Sequence, residues 1–225
     1  MTKLDYKWLT TDHKHEHTNP YISKLKQFKK TNTNFPILVD EELKQNLSLQ
    51  NMSAYNGVFL EIGCHKGKIL SELASANKES FFVGFDITYK RVFLSAQRSE
   101  QAGLKNVKLI KHDGSYANKV FAPQSLAGVI IFFPDPWAKK LSQRHNRMLD
   151  QKFCLMIKEL LQSNAFVWFK TDDKNYYELL CHYMHHAGFR ESTQKCNITS
   201  ISCESVFEKR YREKELPIYE KIWRK

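Results

Sequence analysis

Five carboxylate side chains stand at regular places in this sequence, each at or just after the end of a short apolar run. They are Glu61, Asp86, Asp113, Asp135 and Asp172. Because open α/β sheets bind ligands at the carboxyl ends of their strands, we expect these acids to gather at one ligand-binding edge. One acid at a strand end is usually a helix cap, but five in succession fit that explanation poorly. The pattern therefore predicts an acidic ligand site.

Asp135 has the most constrained surroundings of the five, because it lies between Pro134 and Pro136. Proline donates no backbone hydrogen bond and favours extended geometry in the residue before it, so the preceding strand must end here. Trp137 follows directly. The basic residues after it are Lys139, Lys140, Arg144, His145 and Arg147. An acid, an aromatic ring and cations together suit a nucleotide base attached to a phosphate backbone. The alternative is a proline-bounded loop with a solvated charged face.

The segment from Gly63 to Gly67 has the glycine spacing of a tight turn that lets a ligand approach the backbone. It is neither the Gly-x-Gly-x-x-Gly pattern of dinucleotide sites, because position 65 is histidine, nor a P-loop, because no Ser or Thr follows Lys68. Asp86 suits the two hydroxyls of a ribose, which dinucleotides and S-adenosylmethionine share. Glu61 would repel a pyrophosphate, whereas it suits a sulfonium compound with a free amino group. We therefore expect S-adenosylmethionine as the cofactor.

Strands and helices alternate from Val58 onward, which predicts a parallel sheet between two layers of helices with right-handed crossovers. Seven strands are expected, near residues 58–62, 81–85, 107–110, 128–133, 165–170, 190–195 and 217–224. Thr88 is predicted to cap a helix that Gly103 ends. We expect residues 35–225 to form this domain. Residues 1–34 are expected to be a basic arm, mobile or ordered by a partner.

The composition favours an anionic partner, because the formal net charge is +11 and the pI is near 9.3. Nucleic acid is the commonest such partner. The five cysteines are odd in number and lack CxxC spacing, so no disulfide framework, zinc ribbon or other structural metal is expected. No apolar stretch reaches the ~18 residues of a membrane span, and the polar N-terminus lacks the apolar core of a signal peptide. These features predict a cytoplasmic protein without membrane contact.

Five blocks of the sequence are similar to motifs of the bacterial tRNA (guanine-N7)-methyltransferases. They are Leu60-Glu-Ile-Gly63, the strand-end Asp86, the block from Asn106 to Asp113, Phe133-Pro-Asp-Pro-Trp-Ala-Lys-Lys140 with residues 144–149 behind it, and Thr171-Asp172. The segment Ser205-Val-Phe-Glu208, followed by Pro217-Ile-Tyr, resembles the closing motif of that family, with serine in place of threonine. The similarity runs from about Val58 to the C-terminus. Its most specific part is Phe-Pro-Asp-Pro-Trp.

The resemblance implies a seven-stranded, Rossmann-like class I methyltransferase with a mostly parallel sheet. Such an enzyme transfers a methyl group from S-adenosylmethionine to N7 of a guanosine in the tRNA variable loop. By the same resemblance, the cofactor would contact Glu61, Gly63, Gly67, Asp86, Asp113 and Asp135. The substrate guanosine would contact Lys139, Asp172, Ser205, Phe207 and Glu208. The RNA would contact Lys140, Arg144, His145 and Arg147. tRNA is the expected partner of a monomer or homodimer.

N7 of guanine carries a lone pair and no proton, so its attack on a sulfonium methyl group needs no general base. The task of such a site is mainly orientation. Asp135 is the predicted catalytic residue, and we expect it to orient guanine and cofactor rather than to remove a proton.

Two departures from the family pattern keep alternatives open. His65 stands where the family turn has glycine, and the basic run after Trp137 is diluted by uncharged residues. A catalytically weak or inactive tRNA-binding homologue is one alternative, and a methyltransferase acting on another RNA or another atom is a second. A nicotinamide-dependent oxidoreductase is disfavoured because the third glycine of its fingerprint is missing.

Overall fold

The computed structural model describes residues 19–32, 37–38, 52, 54–135, 148–194, 196, 198 and 204–225. Its strands form one eight-stranded sheet. They are β1 (Ile37–Leu38), β2 (Val58–Ile62), β3 (Phe81–Asp86), β4 (Val107–Lys111), β5 (Leu126–Phe132), β6 (Leu161–Thr171), β7 (Arg190–Ser192) and β8 (Tyr219–Arg224).

The strand order is β1-β4-β3-β2-β5-β6-β8-β7. All pairs from β1 to β6 are parallel, whereas β8 runs antiparallel to both β6 and β7. The seven predicted strands are therefore confirmed, and the two-residue β1 is added at one edge. The order changes direction between β2 and β5, which places the carboxyl ends of these strands at the crevice where open sheets bind ligands.

Seven helices are described around the sheet. They are α1 (Pro20–Thr31), α2 (Lys68–Ala76), α3 (Tyr89–Gln101), α4 (Ala117–Val120), α5 (Gln151–Leu160), α6 (Lys174–His186) and α7 (Val206–Glu213). Two hydrophobic clusters separate them into layers. Side chains of α1, α2 and α3 share one cluster with Phe59 and Ile130, whereas those of α4, α5 and α6 share the other with Leu60 and Val129. Neighbouring strand residues face opposite layers, as the pleat requires.

Short polar residues start the helices as their positions in the sequence indicate. The hydroxyl of Thr88 accepts from the backbone N–H of Arg91 at the start of α3, and Gly103 follows that helix with φ of 63°. The carboxylates of Asp150 and Asp173 accept from backbone N–H groups in α5 and α6. These caps satisfy amides that a helix leaves unpaired at its beginning.

The sequence did not predict helix α1, which lies within the segment 1–34 assigned to a basic arm. Asn19 caps it by accepting from the backbone N–H of Tyr21 at 3.0 Å, and Pro20 occupies the first helical position. Phe28 packs edge-on against Phe93 of α3, with ring centroids 6.2 Å apart. An Asn-Pro pair before an apolar residue is an ordinary helix start, so the cue was present.

Among the described residues, none of the helices is both long and apolar enough to cross a bilayer. Those same residues contain no cluster of three His, Cys, Asp or Glu side chains that could bind a metal ion.

Candidate active site

A cleft of about 720 Å³ lies at the carboxyl ends of the central strands. The structure brings all five strand-end acids to it, since the residues that line it include Glu61, Asp86, Asp113, Asp135 and Asp172. Each acid lies at or just after the end of a different strand, and the parallel pairing of β2 to β6 places those strand ends side by side. The acidic edge inferred from the sequence therefore exists as one continuous site.

The turn between β2 and α2 forms the floor of the cleft. The backbone N–H groups of Gly63 and Cys64 both donate to the Phe85 carbonyl, at 2.9 and 3.0 Å, which ties the turn to β3. Gly63 and His65 have positive φ, 79° and 52°. Glycine adopts this conformation without strain, whereas for histidine it is uncommon. The His65 ring lies edge-on to Phe207, with centroids 5.5 Å apart.

Gly67, a predicted cofactor contact, is not among the residues that line the cleft, whereas its neighbours Lys66 and Lys68 are. It precedes α2 with φ of 69°, and a Cβ atom there would overlap the Ser95 hydroxyl. A glycine at this position allows the close approach of α2 to α3, and its contact with a cofactor stays a prediction. The sequence shows a glycine at a turn, but the neighbour that demands it is 28 positions away.

Gly67→Ala is expected to destabilise the fold by about 2–4 kcal/mol, because a left-handed alanine is strained and its methyl group overlaps Ser95. Gly103→Ala is the matched control: Gly103 also has positive φ, 63°, but nothing lies within 4 Å of its would-be Cβ. That variant should lose only about 1–2 kcal/mol. Urea denaturation of both variants measures the difference, and equal losses would contradict the packing explanation.

Asp86 is fixed by the turn on one side and by α3 on the other. Its Oδ2 accepts from the backbone N–H of His65 at 3.1 Å and lies 3.8 Å from the Arg91 guanidinium, and its Oδ1 accepts from the N–H and hydroxyl of Thr88. The side chain is 3% exposed. Burial raises the pKa of Asp86, while Arg91 and the hydrogen bonds oppose that rise. An acid oriented in this way suits the two hydroxyls of a ribose.

Glu61 is 4% exposed, and its Oε2 has no hydrogen-bond partner in the described part of the chain. The backbone N–H of Leu70 donates to this carboxylate, so Glu61 caps α2 in place of Gly67, which has no side chain to do so. Burial, with smaller contributions from the charges of Asp86 and Glu72, raises the pKa of Glu61 to about 8. A buried carboxylate oxygen without a donor is costly, so this oxygen is suited to accept from a donor group of a ligand.

Asp113 offers a second unmatched oxygen. Its Oδ1 accepts from the backbone N–H of Ser115 at 2.7 Å and from the Ser115 hydroxyl. Its Oδ2 is buried and lies 3.8 Å from His112 Nδ1, but it has no hydrogen-bond partner among the residues that the structure describes. The side chain is 5% exposed and lies after β4, the strand next to that of Asp86. The cleft thus contains two buried carboxylate oxygens, one on Glu61 and one on Asp113, that lack a hydrogen-bond donor among the described residues.

The opposite wall of the cleft is built by β5, β6 and α7. Asp172 follows β6, and its Oδ2 accepts from the Tyr211 hydroxyl at 2.6 Å. The Tyr211 ring stacks on Phe133, with centroids 5.8 Å apart and an interplanar angle of 1°. Asp135 is exposed on this side, two residues beyond Phe133. Its exposure leaves the carboxylate accessible to a ligand that enters the cleft.

Of the three predicted substrate contacts at the start of α7, two line the cleft and one does not. Ser205 and Phe207 line it. Glu208 is 2% exposed, and its carboxylate bonds to Lys170 at 2.8 Å and to Arg212 at 2.6 Å. Glu208 therefore anchors α7 to β6 in the structure, and its predicted contact with the substrate stays a prediction. These contacts lower the pKa of Glu208 against the effect of burial.

The remaining predicted contacts belong to the basic run. Lys139, Lys140, Arg144, His145 and Arg147 lie outside the described residues, as does Trp137.

Sequence reasoning missed Tyr211, Phe133 and Arg91, all of which line the cleft. Arg91 had a cue, since it lies in the first turn after the Thr88 cap and so faces the same strand end as Asp86. Tyr211 follows Ser205 by six positions on α7, and nothing local indicates that its hydroxyl reaches Asp172. Its role becomes visible only when α7 is docked on the sheet.

Comparisons with known proteins indicate the family of the chain and its fold. Residues 55–221 match the methyltransferase family model Methyltransf_4. The tRNA (guanine-N(7)-)-methyltransferase of Clostridium acetobutylicum is 27% identical over 135 residues, which are 60% of this chain and 64% of that protein. The protein of the same name from Streptococcus suis is 32% identical over 123 residues, 55% of this chain and 58% of that one. The similarity thus spans less than two thirds of the length of either relative.

A solved structure described as the 16S rRNA methyltransferase KamB is similar in fold. It superposes with a TM-score of 0.58 and 13% sequence identity, covering 83% of this chain and 94% of that chain. At so low an identity the likeness concerns the fold alone. It confirms the predicted Rossmann-like class I methyltransferase architecture.

Proposed function

Because the chain belongs to the methyltransferase family whose model matches residues 55–221, we propose that it transfers a methyl group from S-adenosylmethionine to N7 of a guanosine in the variable loop of tRNA. The observation that carries this proposal is the row of five acids in one cleft, three of them buried, in which Glu61 and Asp113 each retain an oxygen without a donor. The names of the two curated relatives support the choice of atom and substrate. The net charge of +11 supports an RNA partner.

The residues of the cleft fit this cofactor. The unmatched oxygen of Glu61 suits an ammonium group, and the hydroxyls of a ribose suit the fixed carboxylate of Asp86. The unmatched oxygen of Asp113 suits the exocyclic amine of an adenine, which is a donor. Bound S-adenosylmethionine supplies a methyl group on a positively charged sulfur. The chain itself supplies acceptors fixed by backbone hydrogen bonds, so little reorganisation is needed on binding.

On the substrate side, the chain orients a guanine. The carboxylate of Asp172 can accept from the N1–H and the exocyclic amine of guanine, a pair of donors that adenine does not present. Asp135 can place its negative charge near the base, which becomes cationic when N7 is methylated. No proton leaves N7, so these carboxylates act by position and charge and not as general bases. Phe207 and Ser205 line the same part of the cleft.

A second candidate function is a tRNA-binding protein that has lost catalysis, and the observation that favours it is His65. Its imidazole lines the cleft beside Phe207, where a glycine would leave more room. Two experiments distinguish the candidates. Calorimetry with S-adenosylmethionine should show binding by an enzyme and no heat from a pure RNA-binding protein. Incubation with unmodified tRNA and labelled cofactor, followed by nucleoside analysis, should yield N7-methylguanosine.

Label in another nucleoside, or in an RNA other than tRNA, would instead support a methyltransferase of different specificity. A protein that binds tRNA but neither binds nor uses the cofactor would overturn the proposed reaction.

The remaining parts of the proposal concern the domain bounds, the location and the oligomeric state. We assign residues 35–225 to the methyltransferase domain and residues 1–34 to an N-terminal segment that precedes it. The cytoplasmic location and the monomeric or homodimeric state stay predictions.

A further inference from the structure

Tyr211 connects the two segments of the cleft wall that face the substrate. Its hydroxyl donates to Asp172 after β6, and its ring stacks on Phe133 after β5. We propose that Tyr211 is a positioning residue for methyl transfer, which orients the Asp172 carboxylate toward guanine and fixes the backbone that presents Asp135. This inference rests on the proposed function and assigns a role that the family motifs do not include.

The hydroxyl acts on Asp172. The next residue, Asp173, is used as the cap of α6, where it accepts from the backbone N–H of Tyr176 at 2.8 Å. Asp172 is thus left to face the cleft, and its orientation depends on the 2.6 Å bond from Tyr211. Because Oδ2 uses one lone pair to accept from the phenol, Oδ1 and the second lone pair of Oδ2 are left to accept from the two donors of a guanine edge. Asp172 also raises the pKa of Tyr211, so the phenol stays a donor at neutral pH.

The ring acts on Phe133. This residue has φ of 50° and precedes Pro134, a combination that is unfavourable for a residue with a side chain. Such strain persists only where the surroundings impose it. The contacts that hold this conformation are the hydrogen bond from the Phe133 N–H to the Lys170 carbonyl at 2.8 Å and the parallel stack with Tyr211. The bend at Phe133 sets the course of Pro134 and Asp135, both of which line the cleft.

Tyr211 is able to position other residues because its own helix is firmly attached. Ser205 caps α7 by accepting from the backbone N–H of Glu208 at 3.0 Å. The buried ion pair between Lys170 and Glu208 then joins α7 to β6 at 2.8 Å. On the cofactor side, Lys68 donates to the Glu204 carbonyl at 2.6 Å. The Tyr211 hydroxyl is therefore presented from a fixed helix rather than from a loop.

The test compares Tyr211→Phe, which keeps the ring and removes the hydroxyl, with Tyr211→Leu, which removes both. At saturating cofactor and tRNA, the single-turnover rate should fall about tenfold in Tyr211→Phe, and further in Tyr211→Leu. The tRNA concentration for half-maximal rate should change less than twofold in Tyr211→Phe, because phosphate contacts dominate RNA affinity. Cofactor affinity should be unchanged. Tyr183→Phe on α6, whose side chain packs against the cluster shared by α4, α5 and α6, is the control for loss of a phenol.

A double-mutant cycle with Asp172→Ala separates positioning from general loosening. If the hydroxyl acts through Asp172, adding Tyr211→Phe to Asp172→Ala should cause no further loss of rate. A wild-type rate in Tyr211→Phe, or the same tenfold loss in the Asp172→Ala background, overturns the inference while the proposed function stands. A wild-type protein that does not methylate tRNA overturns the proposed function and this inference together.

Discussion

Replacing Asp135 with alanine is expected to lower the single-turnover rate of methyl transfer to tRNA by about 100- to 1,000-fold, the loss typical of removing one fixed electrostatic contact to a reacting group. Asp135 lines the cleft and is exposed, so its carboxylate is within reach of a bound ligand. Its negative charge stabilises the positive charge that appears on guanine as N7 is methylated. The measurement is rapid-quench methylation of unmodified tRNA at saturating cofactor.

Two variants control this result. Asp135→Asn keeps the shape of the side chain and removes its charge, so a loss nearly as large as that of alanine would assign the effect to charge. Glu159→Ala removes an exposed acid from α5 that does not line the cleft, so it should leave the methylation rate unchanged. Thermal stability should be unchanged in all three, because substitutions at exposed sites usually have small effects. Full single-turnover activity in Asp135→Ala would remove this residue from the mechanism.

The second large effect concerns Glu61 and pH. Burial raises the pKa of Glu61 to about 8, so the folded protein keeps this carboxyl protonated where an unfolded chain would release the proton. A raised pKa contributes stability that is complete below the unfolded value of 4.5 and is lost as pH rises toward 8. Relative to Glu61→Gln, the wild-type protein should lose about 3–5 kcal/mol of unfolding free energy between these limits. Urea titrations of both proteins at pH 5 and pH 8.5 measure the difference.

Cofactor binding should reverse the protonation of Glu61, because an ammonium group at its unmatched oxygen favours the ionised form. At pH 7 the wild-type protein should therefore release close to one proton when it binds S-adenosylmethionine. Calorimetry in phosphate and in Tris detects this release as a difference in observed enthalpy, since the two buffers differ in ionisation enthalpy. Glu61→Gln should bind more weakly and show no buffer dependence. Identical wild-type enthalpies in both buffers would contradict an ammonium at Glu61.

The acidic edge was predictable from the sequence because each acid follows a short apolar run, and parallel strands bring such positions together without further information. The helix start at Thr88 was equally local, since a cap and its target lie within three residues of each other. The same locality explains why the fold class could be inferred before any tertiary contact was known. The sequence did not predict the short β1 or the helices α1, α4 and α7.

The contacts that the sequence did not indicate join distant parts of the chain. Glu208 lies in a motif typical of substrate binding, but its partner Lys170 is 38 positions away on β6 and occupies the carboxylate. Gly67 looks like a ligand-binding glycine until Ser95 is seen beside it. Tyr211 carries no local signal, because its target Asp172 is 39 positions earlier. Residue types indicate what a side chain is able to do, whereas tertiary packing decides which partner it meets.

The contrast between the floor of the cleft and the rest of the protein has a consequence for how a nucleotide enters. The chain as a whole carries a net charge of +11 and attracts a polyanion. The basic residues that line the cleft include three exposed ones, Lys66, Arg91 and Arg98, whereas the acids Glu61, Asp86 and Asp113 are buried in it. Phosphate groups are drawn to the outside and repelled from the interior. An uncharged purine meets no such barrier, so a nucleotide must turn its base inward while its sugar-phosphate chain stays at the rim. The charge distribution therefore acts as a filter that admits bases and rejects backbone.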